Sequence, residues 1–322
     1  GRPGETDANE LAINTGSVVV NFGNDVPSNL AAAFELVDTG ALDGQLQTLA
    51  GINVEFALES GKLTGRPVGG GAPVATIELL SAVAGPALNE ATYSYQVTLH
   101  TPVQHASNTV EDSVFLNGVT FQVTDADGTT GQAAFSVEVA DDQPASVSNV
   151  PAGVVVDEDA LSGGIEGGPG DAIAGTTASG TVATMFQSGA DSPLSYQLLS
   201  DTSALPVLTS GGTVLTYAVS GGTLTALSGI VPVFTFALDP TTGAFTFTLL
   251  QKLDHAPGAG ENDISIDFKT IVQATDADGD WVSAAGNIVV VIDDDTGTLS
   301  VAANGLIVAA LDESAISSTP AA

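Results

Sequence analysis

The sequence predicts an all-β fold: tandem antiparallel β-sandwich domains, immunoglobulin- or cadherin-like in type, with about eight short strands in each unit of ~150 residues. Three observations lead there. Short runs of alternating apolar residues recur along the chain, turn-forming Gly and Asp sequences separate them, and the whole pattern occurs twice in 322 residues.

The strands come first. In 245–250 (FTFTLL), Phe245, Phe247 and Leu249 alternate with Thr246 and Thr248, the two-residue period of a half-buried strand. Runs at 213–219, 231–238, 264–274 and 287–292 behave alike, as do 93–99, 113–123 and 133–139 in the first half. Between them lie DPTTG (239–243), SGG (220–222) and two DADG loops, which carry the residues that tight reversals and positive φ require. Residues 29–36 (NLAAAFEL) could pass for a helical turn, but their repeat counterpart 193–199 (PLSYQLL) could not, so both read as strands.

The repeat sets the domain organisation. HASNTVED (105–112) answers HAPGAGEN (255–262), so His105 pairs with His255 at an offset of 150. TDADG recurs with Asp125 matched to Asp276, and the strand ending at Asp142 matches the one ending at Asp294. LDESA (311–315) repeats VDEDA (156–160). The expected units are 1–145, a sandwich lacking its own first strand; 146–298, a complete sandwich; and 299–322. The last segment reads as the first strand of a following repeat, or as a strand donated to a neighbour.

Charge narrows the function. Asp and Glu number 38 against 5 Lys and Arg, for a net charge of -33. That excess opposes nucleic-acid phosphates and anionic membrane surfaces alike. No apolar run approaches the ~20 residues of a membrane-spanning helix, and no basic-then-apolar leader opens the sequence. Without Cys, disulfides, thiolate catalysis and Cys-based zinc sites are excluded together. Adaptation to high salt would also give an acidic, Lys-poor surface, yet it explains the charge rather than the recurring positions of the acids.

Those positions suggest calcium. In TDADGD, Asp276, Asp278 and Asp280 alternate around Gly279. Alternate residues of a tight loop converge and offer hard oxygens to an ion that takes 6–8 of them. The loop is no EF-hand: a Gly stands at its fourth position, Asn287 at its twelfth, and no helices flank it. The first repeat keeps Asp125 and Asp127 but has Thr129 in place of the third acid, so a weaker site is expected there. Further candidates crowd the junctions: Asp141 and Asp142, Asp157, Glu158 and Asp159, Asp293 and Asp294, and Asp312 with Glu313. An ion would turn their repulsion into a rigid joint, and the plain alternative is a charged linker held extended by repulsion. His105 and His255 read as structural loop residues, the latter beside candidate ligands Glu261 and Asp263.

Catalysis finds no support. There is no nucleophile elbow, no phosphate-binding loop opening a helix and no asymmetric set of His and acids, so the chain is expected not to be an enzyme. Trp281, directly after the acidic loop, is the one residue placed to serve as a ligand platform, and packing over the loop is its simpler role. A calcium-dependent carbohydrate- or peptide-binding module is the alternative function.

The string DEDAL, GGPGD, LTSGGTVLTY, VFTFALDPTTGAFTFTLLQKLDH, GEND, ATDADGD and NIVVVIDD resembles the repeat domain of giant RTX-type adhesins exported by type I secretion. The resemblance covers almost all of 150–295 and is looser in the first unit, which lacks the TTGAFTFTLL wording. It implies export without a cleaved leader, calcium-stiffened sandwiches strung together, and a structural role at the cell surface or in biofilm matrix. Partners would be neighbouring copies of the repeat, in cis or as a homopolymer, and a host or matrix ligand.

Overall fold

A computed structural model describes residues 12–106, 112–147, 152–167, 174–257 and 262–295. Glu261, Asp312, Glu313 and the segment 299–322 lie outside the described residues. The chain is nearly all β, built of antiparallel sheets in sandwich arrangement, and three short 3-10 turns are the helical structure among the described residues.

The first half contains β1 (Ile13–Asn21), β2 (Phe34–Val37), β3 (Val54–Glu59), β4 (Lys62–Pro67), β5 (Ala75–Ala84), β6 (Glu90–Leu99), β7 (Ser113–Thr124) and β8 (Thr130–Ala140). One sheet has the order β1-β6-β5-β4-β3 and the other β2-β7-β8. Their inner faces enclose a core in which Phe34 stacks on Tyr93 and Phe121, with ring centroids 4.4 and 5.0 Å away.

Two short pieces, β9 (Ala145–Ser146) and β10 (Ala152–Asp157), lead into the second half. There follow β11 (Thr177–Thr181), β12 (Phe186–Gln187), β13 (Ser195–Leu198), β14 (Thr209–Ser210), β15 (Thr213–Ser220), β16 (Thr223–Ser228), β17 (Val231–Leu238), β18 (Ala244–Leu249), β19 (Ile264–Asp267), β20 (Val272–Thr275), β21 (Trp281–Ser283) and β22 (Ile288–Asp293). The order β11-β18-β17-β16-β15 reproduces the large sheet of the first half strand for strand. The opposing layer is split into β13-β20-β21 and β10-β22-β19. Its core is a Phe cluster in which Phe236 stacks on Phe268 and Phe245, at 4.3 and 5.1 Å. Gly180 is required opposite Phe245, because a Cβ there would fall 2.5 Å from the ring.

The structure departs from the sequence reading at three places. Residues 29–36 are not one strand: Asn29 accepts the Ala32 N–H and caps a 3-10 turn over Leu30–Ala33 before β2 begins. The run 264–274 is broken at Lys269–Ile271, where the Asp267 carboxylate captures the N–H groups of Lys269 and Ile288 and diverts the chain from its ladder. The third is the pairing of β10 with β22, which is parallel in an otherwise antiparallel architecture.

Strand pairing also refines the repeat. Val114 faces Val139 in the first unit, and Ile264 faces Ile292 in the second. Phe135, Val137 and Val139 of β8 therefore correspond to Ile288, Val290 and Ile292 of β22. On that alignment Asp141, rather than Asp142, is the counterpart of Asp294.

Candidate metal centre at the seam between repeats

The two halves meet where β8 ends. Asp141 and Asp142 follow directly on β8, and the acidic loop 276–280 joins β20 to β21. That loop closes through the Asp276 N–H donating to the Asp280 carbonyl at 2.9 Å. Within it, one Asp276 carboxylate oxygen accepts the N–H groups of Gly279 and Asp280, at 3.1 and 2.8 Å. Gly279 at φ 117 makes the reversal possible, since side-chain-bearing residues rarely adopt that conformation. The consequence is that the second Asp276 oxygen, with Asp278 and Asp280, points to one side, and ligand atoms of all three lie within 4.8 Å of one another.

Asp191 and Asp141 complete the cluster. Asp191 is docked on the loop because its carbonyl accepts the Ala277 N–H at 2.9 Å. Ligand atoms of Asp141, Asp191 and Asp278 again lie within 4.8 Å of one another, as do those of His105, Asp112 and Asp141. Asp142 fixes the joint from the other side, accepting the Ala190 N–H at 2.5 Å. Any Cβ at Gly189 would collide with that carboxylate at 2.4 Å, so the close approach depends on glycine. The linker is pinned too: β9 pairs with β12, and the Val147 N–H donates to the Met185 carbonyl at 2.8 Å.

Burial makes this concentration of charge costly. Asp280 is 1% exposed, Asp191 2%, Asp141 4% and Asp276 6%. Both Asp280 oxygens, and one oxygen each of Asp141, Asp191, Asp276 and Asp278, are buried without a hydrogen-bond partner. A buried carboxylate demands compensation by donors or a cation. Lys62, Arg66 and Lys269 are engaged elsewhere, with Glu78, Glu59 and Asp267. The protein supplies the seam with His105, whose Nδ1 lies 3.0 Å from Asp141 and whose backbone N–H donates to Asp278 at 3.3 Å.

The protonation equilibria record the imbalance. Burial, then the repulsion of Asp278, Asp141 and Asp142, pushes Asp191 up to about 7. Burial together with Asp278 takes Asp276 to about 8, and burial with Asp141 and Asp278 takes Asp280 to about 7. Burial acts to lower His105, but the Asp141 and Asp278 carboxylates beside its Nδ1 outweigh it and hold the imidazolium up to about 10. Asp278 is raised by burial yet ends below the ordinary range, because the His105 hydrogen bonds dominate. One imidazolium cannot satisfy this many carboxylates. The donor set is hard, oxygen-rich and free of thiolate, so a divalent cation of the calcium type fits it.

The remaining candidates lie at two other places. The first-repeat loop brings Asp125 and Asp127 together with Asp25, with ligand atoms within 4.8 Å, but at an exposed site. Its architecture is that of the seam loop, since the Ala126 N–H donates to the Asp25 carbonyl as Ala277 does to Asp191. Thr129 donates through its N–H and hydroxyl to Asp127, closing the place of the third acid. At the far end of the second repeat, ligand atoms of Glu158, His255 and Asp294 come within 4.8 Å of one another. Glu158 accepts from the Leu253 N–H at 2.7 Å and from His255 Nε2 at 3.1 Å, while His255 Nδ1 donates to the Asn262 carbonyl at 2.6 Å. Burial lowers this imidazole, but Glu158 and the carbonyl outweigh it and hold it up to about 9. Asp157 accepts the Asp159 N–H at 2.7 Å, a local turn contact, and Glu158 meets the next strand through its N–H donating to the Asp293 carbonyl at 3.2 Å. Asp159 and Asp293 are buried at the same end of the unit, whereas Asp263 is exposed and joins none of these groups.

Asp191, Asp112 and Asp25 were missed by sequence reasoning. Each lies outside the repeated DADG and DED strings, and only tertiary contact brings it to its cluster. A faint signal existed for two of them: Asp25 and Asp191 share the offset of 166 that relates GRPGE to GGPGD. No protein-family model matches the chain, and a search of curated proteins finds no match either.

Proposed function

We propose that this chain is a calcium-binding structural module, a repeat of a large extracellular bacterial adhesin, surface filament or biofilm-matrix protein. The observation that carries the proposal is the seam. Four nearly buried carboxylates from both repeats converge there, with oxygens left unpartnered and a single imidazolium opposite them. In a low-calcium cytoplasm the repulsion would hold the two repeats apart. At the millimolar calcium of an extracellular medium, ion binding would add to folding free energy and fix the joint.

Burial favours this structural reading over the carbohydrate- or peptide-binding alternative. An ion that bridges to a ligand needs an open coordination position, and the seam carboxylates are enclosed between repeats. Trp281 is exposed beside them, with its backbone committed to the β20–β21 ladder.

Thermal melting with excess calcium and with excess chelator tests the proposal. Free calcium at 100 times its dissociation constant stabilises by ~2.7 kcal/mol per site. A rise in Tm of several degrees on adding calcium, without an equal effect of sodium at matched ionic strength, is expected. Superimposable melting curves with calcium and with chelator overturn it.

A further inference from the structure

The seam carboxylates fall into two sets. Ligand atoms within 4.8 Å of one another form one trio of Asp276, Asp278 and Asp280 and a second of Asp141, Asp191 and Asp278. Oxygens bound at about 2.3–2.6 Å to one calcium ion are at most ~5 Å apart, so each trio matches the reach of a single ion. Asp278 belongs to both, and its side chain is 0% exposed. A carboxylate has two oxygens and can serve two ions at once, as in paired-metal sites whose ions stand ~4 Å apart.

Each trio also has buried oxygens of its own without a hydrogen-bond partner. In the loop they are one oxygen of Asp276, one of Asp278 and both of Asp280; in the second trio they are one each of Asp141 and Asp191. Charge agrees with two ions. Five carboxylates against the single His105 imidazolium leave an excess of four negative charges in a buried space. One divalent cation removes half of that excess, and two remove all of it.

The trios differ in origin. Asp276, Asp278 and Asp280 come from one loop, already closed by its own backbone hydrogen bond. In the second trio Asp141 follows β8 of the first repeat, whereas Asp191 and Asp278 belong to the second. An ion in the loop needs no movement of one repeat against the other. The second trio exists only once the repeats have met.

We infer, resting on the proposed calcium centre, that the seam takes two divalent cations in order. A loop ion is held by Asp276, Asp278 and Asp280, and a joint ion by Asp141, Asp191 and Asp278; only the joint ion ties one repeat to the other. The loop ion fills first because its ligands are local, and it fixes the Asp278 carboxylate that the joint ion shares. Calcium therefore acts in two steps. It completes the second repeat first, and at higher concentration it joins that repeat to the first.

Equilibrium dialysis of the full chain counts bound calcium, and differences between variants isolate the seam from the other acidic groups. Asp191→Asn and Asp280→Asn change oxygens that accept no hydrogen bond, and circular dichroism checks that both variants keep their sheets. Asp191→Asn should bind one ion fewer than the parent, losing the joint ion alone. Asp280→Asn should bind two fewer, because the joint ion then lacks a fixed Asp278. Terbium gives a reading that needs no variant. Trp281 is the only Trp in the chain and follows Asp280 directly, so exciting its indole selects ions at the seam. With terbium and europium loaded together, energy transfer between them is expected from ions ~4 Å apart. One ion lost in each variant overturns the ordered filling, and a parent without energy transfer overturns the ion pair, both leaving the calcium reading intact. Neither variant losing an ion sinks the calcium reading as well.

Discussion

Asp280→Asn should change sign with the solution. In chelator, Asp280 is a carboxylate with both oxygens buried and unpartnered, pressed by Asp141 and Asp278 and pushed by burial up to about 7. The amide keeps the shape and removes the charge. An unsatisfied buried polar group costs about 1–3 kcal/mol, and more when charged. Removing the charge, with the new amide able to donate to the Asp141 carboxylate beside it, should raise the melting temperature in chelator by roughly 2–12 °C, at 2–4 °C per kcal/mol for a unit of this size. In calcium the same substitution removes a candidate ligand. If binding weakens about 100-fold, a site that contributed ~2.7 kcal/mol contributes ~0.4 at the same calcium concentration. The variant should therefore be the more stable protein without calcium and lose most of the calcium-dependent gain. Differential scanning calorimetry on both proteins, with 5-fold spacing of calcium from about micromolar to millimolar, reads both effects. A variant less stable than the parent in chelator, with its calcium response intact, refutes the claim that seam repulsion is what the ion relieves.

Two further outcomes follow from the buried groups. With calcium stripped, stability should fall as pH rises from about 5 to about 8. The folded protein holds protons on Asp191, Asp276 and Asp280 up to about 7, 8 and 7, where an unfolded Asp has released them near 3.8. His105 and His255, held protonated to about 10 and 9, act in the same direction as pH passes their ordinary value of 6.5. Melting temperatures at both pH values check this, and millimolar calcium should flatten or reverse the slope. Glu158→Ala leaves the Leu253 N–H and the His255 imidazolium without their acceptor in a buried site. Breaking such a pair costs about 3–5 kcal/mol, so the second repeat should melt well below the parent even in saturating calcium, as followed by the near-ultraviolet signal of Trp281.

Much of this structure was legible because strand formation is local. The period-2 pattern of 245–250 became β18, with Phe245, Phe247 and Leu249 buried as that pattern requires. The convergence of Asp276, Asp278 and Asp280 was legible for the same reason, since a five-residue loop around a glycine decides it. What failed was long-range or competed with by a side chain. Asp267 interrupts 264–274 only because Ile288, 21 residues on, supplies a second N–H for its carboxylate. Glu158 sits in an acidic string, and its partners, His255 and the Leu253 amide 95 residues away, are beyond the reach of any local pattern. Asp191 stands alone in its sequence, and its role exists only after two repeats have met.

With the proposed ion bound, the seam would have a mechanical meaning. Covalently, the first repeat hands over to the second through 143–151, and the chain then enters β10. The carboxylates at 141, 191 and 276–280 lie on both sides of that handover, so an ion held among them is a short circuit around the linker. Tension applied along the molecule would pass through metal–oxygen contacts first and reach the peptide only after they let go. The yield point of each joint would then be tuned by dissolved calcium in the surroundings, while the sandwiches on either side keep their shape.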